Sequence, residues 1–153
     1  MADLLLEKFK ISKNVQLNSE DIKSLTLLYL PLIGLDSYAL YQTLTWLDKE
    51  EHTFNELINI TNIGTLKKIN NAFEKLEGIG LLKTYKAKDK GYMFSLVRPL
   101  KEEEFLQEEL LVRLLETQLG PTEIEKMKVK YKQIPKTYKE VTKKLTDVFN
   151  IVT

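Results

Sequence analysis

The stretch Leu76-Glu77-Gly78-Ile79-Gly80-Leu81-Leu82-Lys83-Thr84-Tyr85-Lys86, continued by Lys88-Asp89-Lys90-Gly91 and Tyr92-Met93-Phe94-Ser95-Leu96-Val97, decides the fold. Before it, Leu66, Ile69, Phe73 and Leu76 recur at helical spacing, which predicts a helix from about Thr65 to Glu77 ended by Gly78. Past Gly80 the period switches to two. Leu82, Thr84 and Lys86 oppose Leu81, Lys83 and Tyr85, and Tyr92, Phe94 and Leu96 alternate with Met93, Ser95 and Val97. Lys88 to Gly91 supplies short polar residues and a glycine able to take positive φ, so the two strands should close as a hairpin. A lone hairpin is marginal in water. Its apolar side must rest on the helices before it.

Upstream, Asn18 or Ser19 reads as the N-cap of a first helix, with Glu20 and Asp21 in the turn where the dipole favours anions. Ile22, Leu25, Leu28, Tyr29 and Leu32 continue its apolar face until Pro31 ends or kinks it and Gly34 permits a sharp exit. Asp36 then caps a helix over about 37–48. A very short strand at Thr53 and Phe54 and a helix over about 55–60 follow. Three helices and a β-hairpin, preceded by one extra helix, is the order of a winged helix, a relative of the helix-turn-helix. The predicted class is mainly α with a small β-hairpin. The division expected is an N-terminal tail at 1–17, a winged-helix domain at 18–100 and a helical extension at 101–153.

That extension is electrically divided. Residues 1–100 carry a net charge of +1, residues 101–125 a net of −6, and residues 126–144 eight lysines against Glu140 alone. Phe105, Leu106, Leu110, Leu111, Leu114, Leu115 and Leu119 predict one long amphipathic helix stopped by Gly120-Pro121. Helices over about 122–131 and 136–152 are expected beyond it. A domain this size cannot hide all of those leucines, so they either fold back on the first helix or meet another chain. The expectation is self-association, with Phe105, Leu106, Leu110, Leu111, Leu114 and Leu115 as its residues.

Catalysis finds no residue set. With no cysteine and a single histidine, His52, the 153-residue chain excludes disulfide scaffolds, thiolate zinc sites and cysteine nucleophiles. His52 sits in Lys49-Glu50-Glu51-His52-Thr53, which reads as a solvated turn. Gly78-Ile79-Gly80 lacks a third glycine and follows a helix, so it is not a dinucleotide loop. Glu102, Glu103 and Glu104 are adjacent and point apart on a helix. No cofactor, metal or enzymatic activity is expected. Nor does any run reach the roughly 20 apolar residues that cross a bilayer, and the start carries no cleavage signal; a cytoplasmic protein is expected.

Nucleic-acid contact is harder to dismiss. Lys67, Lys68 and Asn71 occupy the outer face of the 65–77 helix, where a winged helix reads duplex DNA, although no arginine accompanies them. Lys86, Lys88 and Lys90 line the hairpin, where solubility and edge protection are the plainer use. Lys128, Lys130 and Lys132 belong to a lysine run containing Tyr131 and Tyr138, a mixture suited to single strands. The same run equally suits a solvated helix, or one paired with the acidic segment.

Leu27-Leu28-Tyr29-Leu30-Pro31-Leu32-Ile33-Gly34, Tyr38 to Leu47, Leu76 to Lys83, and Val97-Arg98-Pro99-Leu100 with Glu104-Phe105-Leu106 together resemble the N-terminal domain of the DnaB/DnaD replication-initiation family of Gram-positive bacteria and mollicutes. The likeness spans roughly 18–115, and the first and third stretches are specific as a pair. It implies a winged helix that forms homo-oligomers, dimers or tetramers, and serves as a primosome platform for helicase loading. DnaD, the helicase loader and the replicative helicase would be its partners, with non-specific DNA contact and nucleoid association, and with membrane association only indirect. The Tyr-x-x-x-Ile-x-x-x-Trp motif of that family's C-terminal domain is absent, the only tryptophan being Trp46. The likeness therefore implies an N-terminal portion or a truncated member. The competing expectation is a winged-helix transcriptional regulator.

Overall fold

A computed structural model describes residues 7–89, 91–131 and 137–150. The chain opens with a strand where a tail was expected: β1, Lys8–Lys13, buries Phe9 and Ile11 and turns its other residues to solvent. This is the period-two signature in miniature, Lys-Phe-Lys-Ile-Ser-Lys. Asn18 then caps α1, Ser19–Ser24, through a reciprocal box in which Asp21 N donates to Asn18 Oδ1 (2.8 Å) and Asn18 N donates to Asp21 Oδ2 (3.0 Å).

Helicity does not stop at Pro31. A π-helical turn, Leu25–Tyr29, inserts between α1 and α2, Leu30–Trp46. Leu30 N–H reaches back to Leu25 O, and Pro31 lands in the first turn of α2, where its fixed φ suits the helix. The break lies three residues later at Gly34, with φ 80° and ψ 174°.

β2, His52–Thr53, leads into α3, Phe54–Thr61, and then α4, Leu66–Gly78. Thr53 and Thr65 cap the two helices through their hydroxyls. The end of α4 lies beyond the expected glycine. Gly78 stays helical, while Gly80 takes φ +85°, Gly80 N–H donates to Glu77 O and Leu81 N–H to Leu76 O. Those two bonds make a Schellman cap. The wing follows as β3, Leu82–Ala87, and β4, Gly91–Leu96.

The sheet runs β2-β1-β4-β3, antiparallel except for β1 beside β4. Thus the N-terminal strand fills the middle of the sheet, giving the hairpin a third and fourth strand. Phe9, Phe54, Phe73, Tyr92 and Phe94 pack between sheet and helices, with Phe73 and Phe94 stacked at 4.8 Å.

The extension is not one long helix. It breaks into α5, Glu102–Leu106, and α6, Glu109–Leu119, before α7, Pro121–Val129, and a short α8, Leu145–Val148. Residues 138–144 are not helical, so the last helix is far shorter than its charge and apolar pattern predicted.

Candidate functional site

Side-chain hydroxyls and one ion pair fasten the segment leaving the wing. Tyr41 Oη donates to Val97 O (2.7 Å), Leu100 N–H donates to Tyr29 Oη (3.0 Å), and Arg98 pairs with Asp21, which is buried beside the α1 cap. Burial raises the pKa of both tyrosines, so both stay protonated, and Tyr41 keeps the proton it donates. Tyr29 and Leu100, 71 positions apart in sequence, therefore meet in space. Directly after them Phe105 inserts edge-on against Tyr29, centroids 5.2 Å apart, fully buried. That contact anchors the extension to the domain.

With α5 anchored, α6 lies along α2. Val112 and Leu115 face the core, and Leu106, Leu111 and Leu119 are partly buried beside it. Two of the six residues expected at a subunit interface are thus corrected: Phe105 and Leu115 are wholly internal, because the segment folds back on its own chain. Leu110 and Leu114 remain, 72% and 54% exposed. Four residues apart, they share one face. Leu114 also borders a shallow groove of about 220 Å³ with Leu32, Ile33, Ile79 and Leu111. Leu35, 76% exposed, follows the Gly34 break on α2.

The outer face of α4 carries Lys67, Lys68 and Asn71, all exposed, as the sequence predicted. Glu74 and Glu77 are exposed on the same helix, so a phosphate approaching it meets both signs of charge. Lys86 is occupied: its ammonium sits 4.9 Å from the Tyr92 ring centroid and 3.7 Å from Glu7. Lys88 is exposed, and Lys90 lies outside the described residues.

In the lysine run, Lys128 is exposed on α7, whereas Lys130 Nζ lies 3.4 Å from Glu102. Tyr131 Oη donates to the same carboxylate at 2.9 Å, and burial together with that carboxylate pushes the phenol pKa up to about 12. Here the run pairs with the acidic segment. Lys132 lies outside the described residues.

His52 is not a solvated turn residue. Its ring sits between Asp48 and Glu56, Nε2 2.9 Å from Asp48 Oδ1 and Nδ1 3.1 Å from Glu56 Oε2, with Phe9 5.6 Å away across the sheet. Burial lowers its pKa, but the bonds to Glu56 and Asp48 outweigh burial and raise it overall. A raised pKa in the folded state means that stability is fully present below the ordinary histidine value. It is lost as pH climbs through the folded value. We expect wild type to melt lower at pH 8 than at pH 6, and His52→Gln to flatten that difference in thermal melts.

Sequence reasoning missed two surfaces and one ion pair. Trp46, 86% exposed, stands beside Ile22 over a groove of about 470 Å³ lined by Val15 and Leu17. The outer face of the sheet was invisible without β1. Asp21 as partner of Arg98 left no local mark, since the pair spans 77 residues. Among the described residues no cluster of metal-ligating side chains occurs, and no helix is long and apolar enough to cross a membrane.

A family model described as the DnaB N-terminal winged helix domain matches residues 5–153. The replicative helicase loading/DNA remodeling protein DnaB of Staphylococcus aureus is 28% identical over 156 residues, covering 95% of this chain and 34% of its own length. The crystal structure of primosome protein DnaB, residues 1–300, from Geobacillus stearothermophilus superposes with a TM-score of 0.75 at 32% identity. It matches over 94% of this chain and 58% of that one. The chain thus spans about a third of the length of the curated relative it matches.

Proposed function

Because this chain belongs to the DnaB N-terminal winged helix domain family, we propose that it is a non-enzymatic assembly module of DNA replication initiation. It associates with itself and presents the winged-helix body to other primosome proteins. Family membership supports the replication role, since the relatives are a helicase-loading and a primosome protein. The observation that carries the assembly role is the split of α6: one side bolted to the core by Val112 and Leu115, the other offering Leu110 and Leu114 to water. Isolated exposed leucines are ordinary. A pair on one helix face bordering an apolar groove is the start of an interface.

Self-association places two or more winged helices side by side, so a partner engaging each weakly is held strongly by all. The partners proposed are a DnaD protein, the helicase loader and the replicative helicase, in the cytoplasm at the nucleoid. The acidic face of Glu74 and Glu77 beside Lys67 and Lys68 argues against a regulator that reads one duplex sequence.

Immobilised chain exposed to the purified replicative helicase and helicase loader of its own organism tests this. Retention of either, reduced by Leu110→Glu with Leu114→Glu, is the expected result. No retention of either, alongside tight binding to one duplex sequence over others, would overturn the proposal in favour of a regulator.

A further inference from the structure

β1 changes what the wing is. With Lys8–Lys13 inserted beside β4, the hairpin becomes part of a four-stranded sheet with a broad outer face. Strand registry places Lys10 opposite Met93 and Met93 opposite Tyr85. Because side chains alternate, all three emerge on the side away from the aromatic core. Phe9, Tyr92 and Phe94 emerge on the other. Two interstrand steps make the row about 10 Å long: a cation, a thioether and a phenol ring.

Tyr85 is 55% exposed and Met93 42%, both large apolar groups left in water on the outer face of the sheet. Lys83, two residues from Tyr85, emerges on the same side, and Lys8 does so two residues from Lys10. Lys8 is held by Glu51 at 3.3 Å, but among the described residues neither Lys10 nor Lys83 has a carboxylate partner. Protection of a sheet edge explains lysines on β3, which is an edge strand. Among the described residues β1 at Lys10 pairs with β4 alone, since β2 reaches only Lys8 and Phe9, so edge protection accounts for Lys10 too; what sets these lysines apart is their placing beside Met93 and Tyr85. The row borders an open recess of about 910 Å³ at the wing end.

We infer that this outer sheet face is a binding surface for single-stranded nucleic acid, with Tyr85 stacking a base, Met93 packing beside it, and Lys10 and Lys83 neutralising flanking phosphates. Unpaired lysines on either side of an exposed ring match a charged backbone carrying flat bases. A duplex hides its bases and has nothing to lay on Tyr85. An acidic polypeptide satisfies the lysines and leaves the ring unused. The surface is separate from the α6 leucines, so its occupation does not depend on self-association.

Fluorescence anisotropy on the intact chain tests this, with labelled oligothymidylate, a duplex of the same length and polyglutamate as competitor, in roughly 50 mM salt. The single strand should bind more tightly than the duplex, and added salt should weaken it. Tyr85→Ala should weaken binding at least about five-fold and Tyr85→Phe should restore it, because stacking needs the ring and not the hydroxyl. Lys10→Glu with Lys83→Glu should cost about ten-fold or more, while Lys67→Ala with Lys68→Ala on α4 leaves affinity unchanged. Should Tyr85→Ala unfold, the paired lysine changes read the same surface without touching the apolar row. Wild-type affinity in the lysine pair, a duplex that binds as tightly as the single strand, or equal displacement by polyglutamate would each overturn the inference.

Discussion

Phe105→Ala should lower the unfolding free energy by about 3–5 kcal/mol, the usual cost of emptying a buried phenylalanine site. The ring has no exposed surface and meets Tyr29 edge-on, at the point where the segment leaving the wing joins the extension. Relaxation is resisted by Tyr29, whose hydroxyl receives Leu100 N–H. A cavity there closes only by shifting Tyr29 and straining that hydrogen bond. Urea unfolding followed by circular dichroism measures the loss. Leu110→Ala, on an exposed site, should shift stability by less than about 0.5 kcal/mol. Equal effects from the two variants would mean that α5 and α6 are not seated as described.

Gly91→Ala should be nearly as damaging, by about 3 kcal/mol or more, for two reasons that add. Its φ of +77° strains any residue bearing a Cβ, and a Cβ built there falls on the carbonyl oxygen of Lys8. The second reason belongs to the sheet: the Lys8 backbone runs so close to Gly91 that no side chain fits at that position. Gly80→Ala is the matched control. It has φ +85° but nothing within 4 Å of its Cβ, so only the conformational cost of about 1 kcal/mol should appear. Hydrogen exchange should show β1 amides losing protection in Gly91→Ala and keeping it in Gly80→Ala.

What the sequence makes legible follows how local each cause is. The wing announces itself because turn chemistry at Lys88 to Gly91 and the alternation on both sides lie within 15 residues. The Asn18 cap and the inward face of α4 are equally local. Gly91 is legible as a turn residue, but its contact with Lys8 comes from a parallel pairing across 83 positions that no local pattern contains. Lys-Phe-Lys-Ile-Ser-Lys does alternate, yet six residues without a visible partner read as tail. The break at Gln107 and Glu108 carries neither glycine nor proline, so the leucines on both sides read as one helix and one broad face.

The candidate surfaces divide the same way. Lys67, Lys68 and Asn71 fall where helical period puts them. By contrast, the fate of Lys130 and Tyr131 turned on Glu102, 28 and 29 residues away. The cation beside an aromatic ring that the sequence offers just after α7 is taken up by Glu102, whereas the row of Lys10, Met93 and Tyr85 exists only once β1 pairs with β4 and β4 with β3.

Sedimentation of the intact chain, beside Leu110→Glu with Leu114→Glu, puts the assembly reading at most direct risk. At high micromolar concentration wild type should sediment at twice the chain mass or more. The double variant should sediment as a single chain with an unchanged melting temperature, since both side chains lie outside the core. A wild-type chain that sediments alone, or a double variant that still associates, contradicts the leucine face of α6 as the place where two copies meet.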